Sequence, residues 1–166
     1  MSGFTCSGCG AHHATPPLAY HAGAPAYWSP NLADDPGSEL GTDQCVIGGE
    51  HFFVRGLVEL PVIGSDDVFA WGVWVSLSKE SFVHASTRWH DEDRANDAPY
   101  FGWLSTDLAG YAPSTLDLKT NLHTRPVGTR PFVELEPTDH PLAVEQCTGI
   151  TRHRVQRIAE RALHPG

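Results

Sequence analysis

The chain has 166 residues, of which 40% are hydrophobic and 19% charged, and a formal charge of −9. That length and composition suit one globular domain with its own core and argue against a disordered chain. The acidic balance argues against nucleic acid and anionic membrane surfaces as partners, because both are bound through an excess of Lys and Arg, and no apolar run approaches the roughly 20 residues of a spanning helix.

The first residues, Met1-Ser2-Gly3-Phe4-Thr5-Cys6, have neither the basic start nor the apolar stretch of a secretion signal, so the expected compartment is the cytoplasm. Cys6-Ser7-Gly8-Cys9-Gly10 follows at once, with His12 and His13 behind it. Two thiols two residues apart can grip one metal ion from a single turn, and a glycine after the second lets the backbone take the positive φ such a turn needs. A redox Cys-x-x-Cys would sit at a helix start after a strand, but only five residues precede Cys6, and Gly10 and Thr15-Pro16-Pro17 follow. A structural zinc ion is therefore the expected cofactor. Tetrahedral zinc needs two further ligands, for which Cys45 and His13 are the leading candidates, with His12 as the alternative imidazole and His21 and Cys147 as outsiders.

Residues 1–45 read as an irregular arm carrying this zinc knuckle, with loop signals at Ala24-Pro25 and Asp34-Asp35-Pro36-Gly37. The character changes at residue 46. Val46-Ile47 and His51–Leu60 are strand-like around a Gly48-Gly49 turn. Val68–Leu77 carries aromatic and β-branched residues on both faces, as a central strand covered on two sides would. Ser78 is a helix N-cap leading into a helix along Phe82, Val83, Ala85 and Trp89, and residues 91–97 form a solvated loop. Further strands are expected at Tyr100–Leu104, Leu116–His123 and Phe132–Glu136, then a short helical start at Pro141–Val144. From Thr151 onward, Val155, Ile158, Ala159, Ala162 and Leu163 make an apolar stripe at helical spacing, with Arg152, Arg154, Arg157 and Arg161 on the solvated face. The expected fold is α+β: one domain over 1–166, with a mainly antiparallel sheet and an amphipathic C-terminal helix, residues 46–166 forming the body.

A second constellation, His123, Arg130, Glu136 and His140, offers the residue types of a hydrolase-like cleft, with a base, an orienting carboxylate and an anion-holding arginine. Asp139-His140-Pro141 reads equally well as the turn that starts a helix. Arg55, inside an apolar strand, needs a carboxylate such as Glu59, Asp43 or Glu136, or else holds a ligand. Trp74 is either core or an aromatic pocket wall. No nucleophile-elbow, phosphate-loop, dinucleotide or HExxH pattern occurs.

The blocks Cys6-Ser7-Gly8-Cys9-Gly10 with His13, Asp43-Gln44-Cys45-Val46-Ile47, Phe52–Gly56, Trp71–Ser78, Tyr100–Leu104, Arg130-Pro131, Glu134–Pro137, Asp139–Ala143 and Gly149-Ile150-Thr151 span nearly the whole chain. In combination they resemble DUF2199, a family of uncharacterised bacterial proteins. The resemblance implies one domain and brings no activity, substrate or catalytic residue with it; Cys147 falls where the family pattern does not carry a cysteine. The leading functional expectation is a zinc-stabilised module that binds a protein or a small ligand. The alternatives are a hydrolase-like enzyme using the His/Glu/Arg set, and an acidic immunity or inhibitor protein that neutralises a basic partner.

Overall fold

A computed structural model describes residues 3–164 of the chain; Met1 and Ser2, where the predicted arm begins, lie outside the described residues. Two long strands organise it. β6 (His51–Pro61) and β7 (Val68–Leu77) pair antiparallel along their whole length, from Phe52 opposite Leu77 to Pro61 opposite Val68. On β6 the residues Val54, Val58 and Leu60 alternate inward. β7 is buried on both faces at its centre, where Val73, Trp74 and Val75 are each fully enclosed. This is the pattern expected of a strand with cover on two sides.

The free edge of β7 is shared. Its first half takes β3 (Ala19–His21) in parallel, and its second half takes β8 (Tyr100–Leu104) antiparallel. β8 pairs with β9 (Lys119–His123), and β9 with β10 (Phe132–Leu135), both antiparallel. β10 then returns to β6 in parallel, with Phe132 opposite Leu57, and the five strands β6 to β10 close into a barrel. The expected mainly antiparallel sheet is thus corrected to a mixed barrel. The parallel seam arises because the chain re-enters beside β6 from a loop rather than a hairpin. Closure removes the edges that an open sheet would expose.

Outside the barrel, β5 (Gln44–Ile47) extends the sheet along β6, and β4 (Glu39–Leu40) extends it along β5. The turn between β5 and β6 uses Gly48 and Gly49 at φ of 62° and 67°, as the sequence led one to expect. The arm is more regular than expected: β1 (Phe4–Thr5) and β2 (His12–His13) form a hairpin, and Pro30–Asp34 is a 3-10 turn.

Three helices complete the α+β fold. α1 (Lys79–Thr87) is capped by Ser78, whose hydroxyl accepts from the Ser81 amide, and it rests Phe82 on Phe52. α2 (Pro141–Thr148) buries Leu142 and Ala143 against the barrel. α3 (Arg152–Leu163), capped by Thr151, buries Val155 and Ile158 in the same core. Each such fully buried aliphatic side chain contributes about 1.5–3 kcal/mol of transfer free energy. Arg154 departs from the solvated face predicted for it. It is half-buried, pairs with Glu145 at 2.8 Å and lies against Tyr111, whose hydroxyl donates to the other oxygen of Glu145. Among the described residues no helix is long and apolar enough to cross a membrane.

Candidate functional site

The knuckle is built by a tight local turn. The Cys6 amide donates to Ala11 O and the Gly10 amide returns to Cys6 O, both at 2.8 Å, while the Gly8 amide points at Cys6 Sγ at 3.3 Å. Gly10 takes φ of 74°, the left-handed conformation that glycine adopts without strain. The β1–β2 hairpin folds His13 back over this turn, so that its Nε2 lies 3.4 Å from Cys9 Sγ.

The fourth member comes from the far end of the chain. α3 presents Gln156, Ala159 and Glu160 to the arm: Gln156 donates to Thr5 O at 3.3 Å, Ala159 packs with Phe4 and Cys6, and the Glu160 carboxylate accepts from the Ser7 amide. One turn further on, His164 caps the helix and brings its ring against the Gly8 backbone and beside the His13 ring, 6.3 Å away between centroids. One donor atom from each of Cys6, Cys9, His13 and His164 lies within 4.8 Å of every other. Bond lengths of about 2.3 Å to sulfur and 2.0–2.1 Å to nitrogen put tetrahedral zinc donors roughly 3.5 Å apart. The Cys9–His13 spacing matches such an edge, so the donor set and its spacing fit a zinc ion with a modest inward contraction. Cys6 is 1% exposed, while Cys9 and His164 are exposed, which puts the cluster at the surface with one ligand anchored in the interior.

The cluster thus joins Cys6, Cys9 and His13 of the predicted set and leaves Cys45 apart. Cys45, on β5, is 1% exposed in an apolar cluster with Phe53 and Trp74, where burial pushes its thiol up to about 11. His164 takes the place in the tetrad that was expected of Cys45. No spacing motif announces it; the available signal is a histidine one residue beyond the apolar stripe of α3.

The other predicted residues have separate partners. His140 is the N-cap of α2: its Nδ1 accepts from the Leu142 amide at 3.1 Å, which leaves Nε2 to donate to Pro113 O at 2.8 Å. Both ring nitrogens are therefore engaged with main chain. Arg130 pairs with Asp43 and His123 with Glu134, and Glu136 is exposed. Arg130 precedes β10 and His140 follows it, and each of these hydrogen-bonded side chains is engaged with a different group. Arg55 lays its guanidinium over Trp74, 5.5 Å from the ring centroid, and donates to Thr42 O, while Glu59 is taken by Arg125. Trp74 itself is wholly buried, its indole donating to Ala22 O at 3.0 Å.

Comparison with known proteins gives one match. The family model of DUF2199, described as an uncharacterized protein conserved in bacteria, matches residues 5–150. No curated protein and no solved structure matches the chain.

Proposed function

The chain belongs to the DUF2199 family, and from that premise we propose that it is a zinc-stabilised binding module, a single domain in which one structural zinc ion clips the N-terminal arm to the end of α3. The convergence of Cys6, Cys9, His13 and His164 carries the reading. Two thiolates and two imidazoles fill a tetrahedron, leaving no open position for a reacting water, so the ion acts on the fold rather than on a substrate. The elements it joins, a hairpin of two-residue strands and a helix terminus, have little regular hydrogen bonding of their own and gain most from such a clip. A reducing compartment such as the cytoplasm keeps both thiols available to the metal. With the arm fixed, the barrel and its surrounding loops serve to bind a small ligand or a protein.

Metal analysis of tag-free protein tests the reading. About one zinc per chain is expected, with His164→Ala and the Cys6→Ser, Cys9→Ser double variant each losing it and Cys45→Ala keeping it. Zinc that survives the double variant, or is lost only with Cys45, would sink the proposal.

A further inference from the structure

In a chain of net charge −9, two arginines, Arg94 and Arg130, line one cavity whose lining holds a single carboxylate, Asp43, and a third, Arg55, interacts electrostatically with Arg130. The cavity, of about 540 Å³, is lined by His21 at the end of β3, Asp43, Leu57 of β6, Trp89, Arg94 and the segment 128–131 that leads into β10. Its volume lies in the range of small-molecule sites.

Each arginine has charge to spare. Arg130 gives only its Nε to Asp43, at 3.1 Å; among the described residues nothing accepts from its two terminal nitrogens. Arg94 is 5% exposed, and its donors go to the main-chain oxygens of Trp89, Arg125, Pro126 and Thr129. Asp97, its neighbour in sequence, spends its carboxylate on Arg88. Arg55, outside the lining, interacts electrostatically with Arg130 and Asp43, and among the described residues its buried Nε has no partner. His21, which lines the cavity, is held below the usual histidine range by burial and then by the charges of Arg130 and Arg55.

Packing accounts for part of this arrangement. Arg94 staples a loop through four carbonyls, and Arg55 stacks on Trp74. Packing does not account for the interaction of Arg130 with Arg55, where two like charges repel and, among the described residues, Asp43 is the carboxylate that offsets them. A guanidinium nitrogen buried without a partner, as Arg55 Nε is, is costly, and the partly exposed fork of Arg130 matches a carboxylate or phosphate with two parallel hydrogen bonds.

We propose that this cavity is an oxyanion site, which takes the carboxylate or phosphate group of a small organic ligand on the fork of Arg130. Arg55 and Arg94 supply the surrounding positive potential, and Leu57 and Trp89 offer apolar wall to the rest of the ligand. The site deepens the ligand-binding half of the function proposed above and shares no residue with the zinc cluster, so metal content separates failure of one from failure of the other.

Calorimetric titration of the full chain with inorganic phosphate and, separately, with malonate tests it, at constant ionic strength set by sodium chloride. At least one of the two is expected to bind with a dissociation constant on the order of 1 mM, and which one binds identifies the group. Arg130→Gln should weaken that binding at least about tenfold, Arg130→Lys should fall between, and Arg152→Gln on the exposed start of α3 should leave it unchanged. Absence of binding by either anion, or equal weakening by the Arg130 and Arg152 variants, overturns the proposal. Should Arg130→Gln fail to fold, NMR of the wild-type chain decides. Anion-dependent shifts confined to the His21 ring and Trp89 indole support the site, and their absence overturns it.

Discussion

The main-chain amide of Ser7 donates to the carboxylate of Glu160, a residue 153 positions further along the chain. This bond aligns the knuckle with α3 and keeps the Glu160 carboxyl below the usual carboxylate range, because the amide favours its ionised form. The same helix face carries Gln156 to Thr5 and Ala159 to Phe4, so the last two turns of α3 act as a template against which the arm folds.

Glu160 touches none of the four donor side chains in its hydrogen bonding, yet it positions the turn that presents Cys6. Glu160→Gln should therefore weaken zinc binding by about tenfold, the scale at which outer partners of metal ligands act. Competition with a chromogenic chelator reads this directly; an unchanged affinity would mean that the knuckle holds its shape without α3.

Removal of the metal should loosen the arm before the barrel. Treatment with a strong chelator is expected to raise amide hydrogen exchange at residues 3–13 and at the end of α3, while β6 and β7 remain protected. The thermal midpoint should fall in the wild type and stay put in the Cys6→Ser, Cys9→Ser variant, which has nothing to lose. Uniform exchange throughout the chain would show that the clip and the barrel unfold as one.

Burial pushes the Cys45 thiol up to about 11, from the 9.0 of an exposed thiol. Its folded pKa is raised, so its contribution to stability is complete below pH 9 and is lost as pH rises through 11. The loss is about 2–3 kcal/mol for a shift of this size. The raised Tyr111 hydroxyl acts in the same direction, so the comparison that isolates Cys45 is wild type against Cys45→Ala. The variant should show the shallower fall in denaturant midpoint between pH 9 and 11. Equal slopes would place the thiol in contact with water.

Replacement of His140 by alanine removes the cap of α2 and its tie to Pro113, and should cost about 1–2 kcal/mol in chemical denaturation. His140→Asn keeps a side-chain acceptor for the Leu142 amide and should recover much of the loss. If both substitutions are neutral, the histidine is not a structural cap and its chemistry returns to consideration.

Gly102 on β8 sits opposite Leu77, where a methyl group would meet Ser76 O at 2.6 Å as well as the Val75 side chain. Gly102→Ala should lower stability by about 1–3 kcal/mol through overpacking of a barrel seam, as read from the denaturant midpoint. A neutral result would mean that the β7–β8 seam can spread to admit the methyl.

Much of the fold was legible because it rests on local regularities. Strand periodicity in 51–60 and 68–77, the paired glycines at 48–49, and the caps Ser78 and Thr151 each report the conformation of their own few residues. His140 could be read as a helix cap for the same reason, since Pro141 follows it. Barrel closure was not legible: whether Phe132 lies beside Leu57 depends on how far the sheet twists and coils, which no single segment encodes.

The cysteine–histidine cluster divides along the same line. By itself the sequence pointed to the half-site, since Cys-x-x-Cys-Gly suits a tight turn that can present two sulfurs to one ion. Cys45 was a reasonable partner by composition, but its strand turns it inward against Phe53 and Trp74. Only the tertiary structure decided that His164 comes to lie beside Cys6, Cys9 and His13, and that Arg94 and Arg130 line one cavity. Both outcomes depend on where α3 and the loop before β10 come to rest against the barrel. That docking is set by burial of Val155, Ile158 and Leu57's neighbours in a common core, a property of the whole packed chain rather than of any stretch of it.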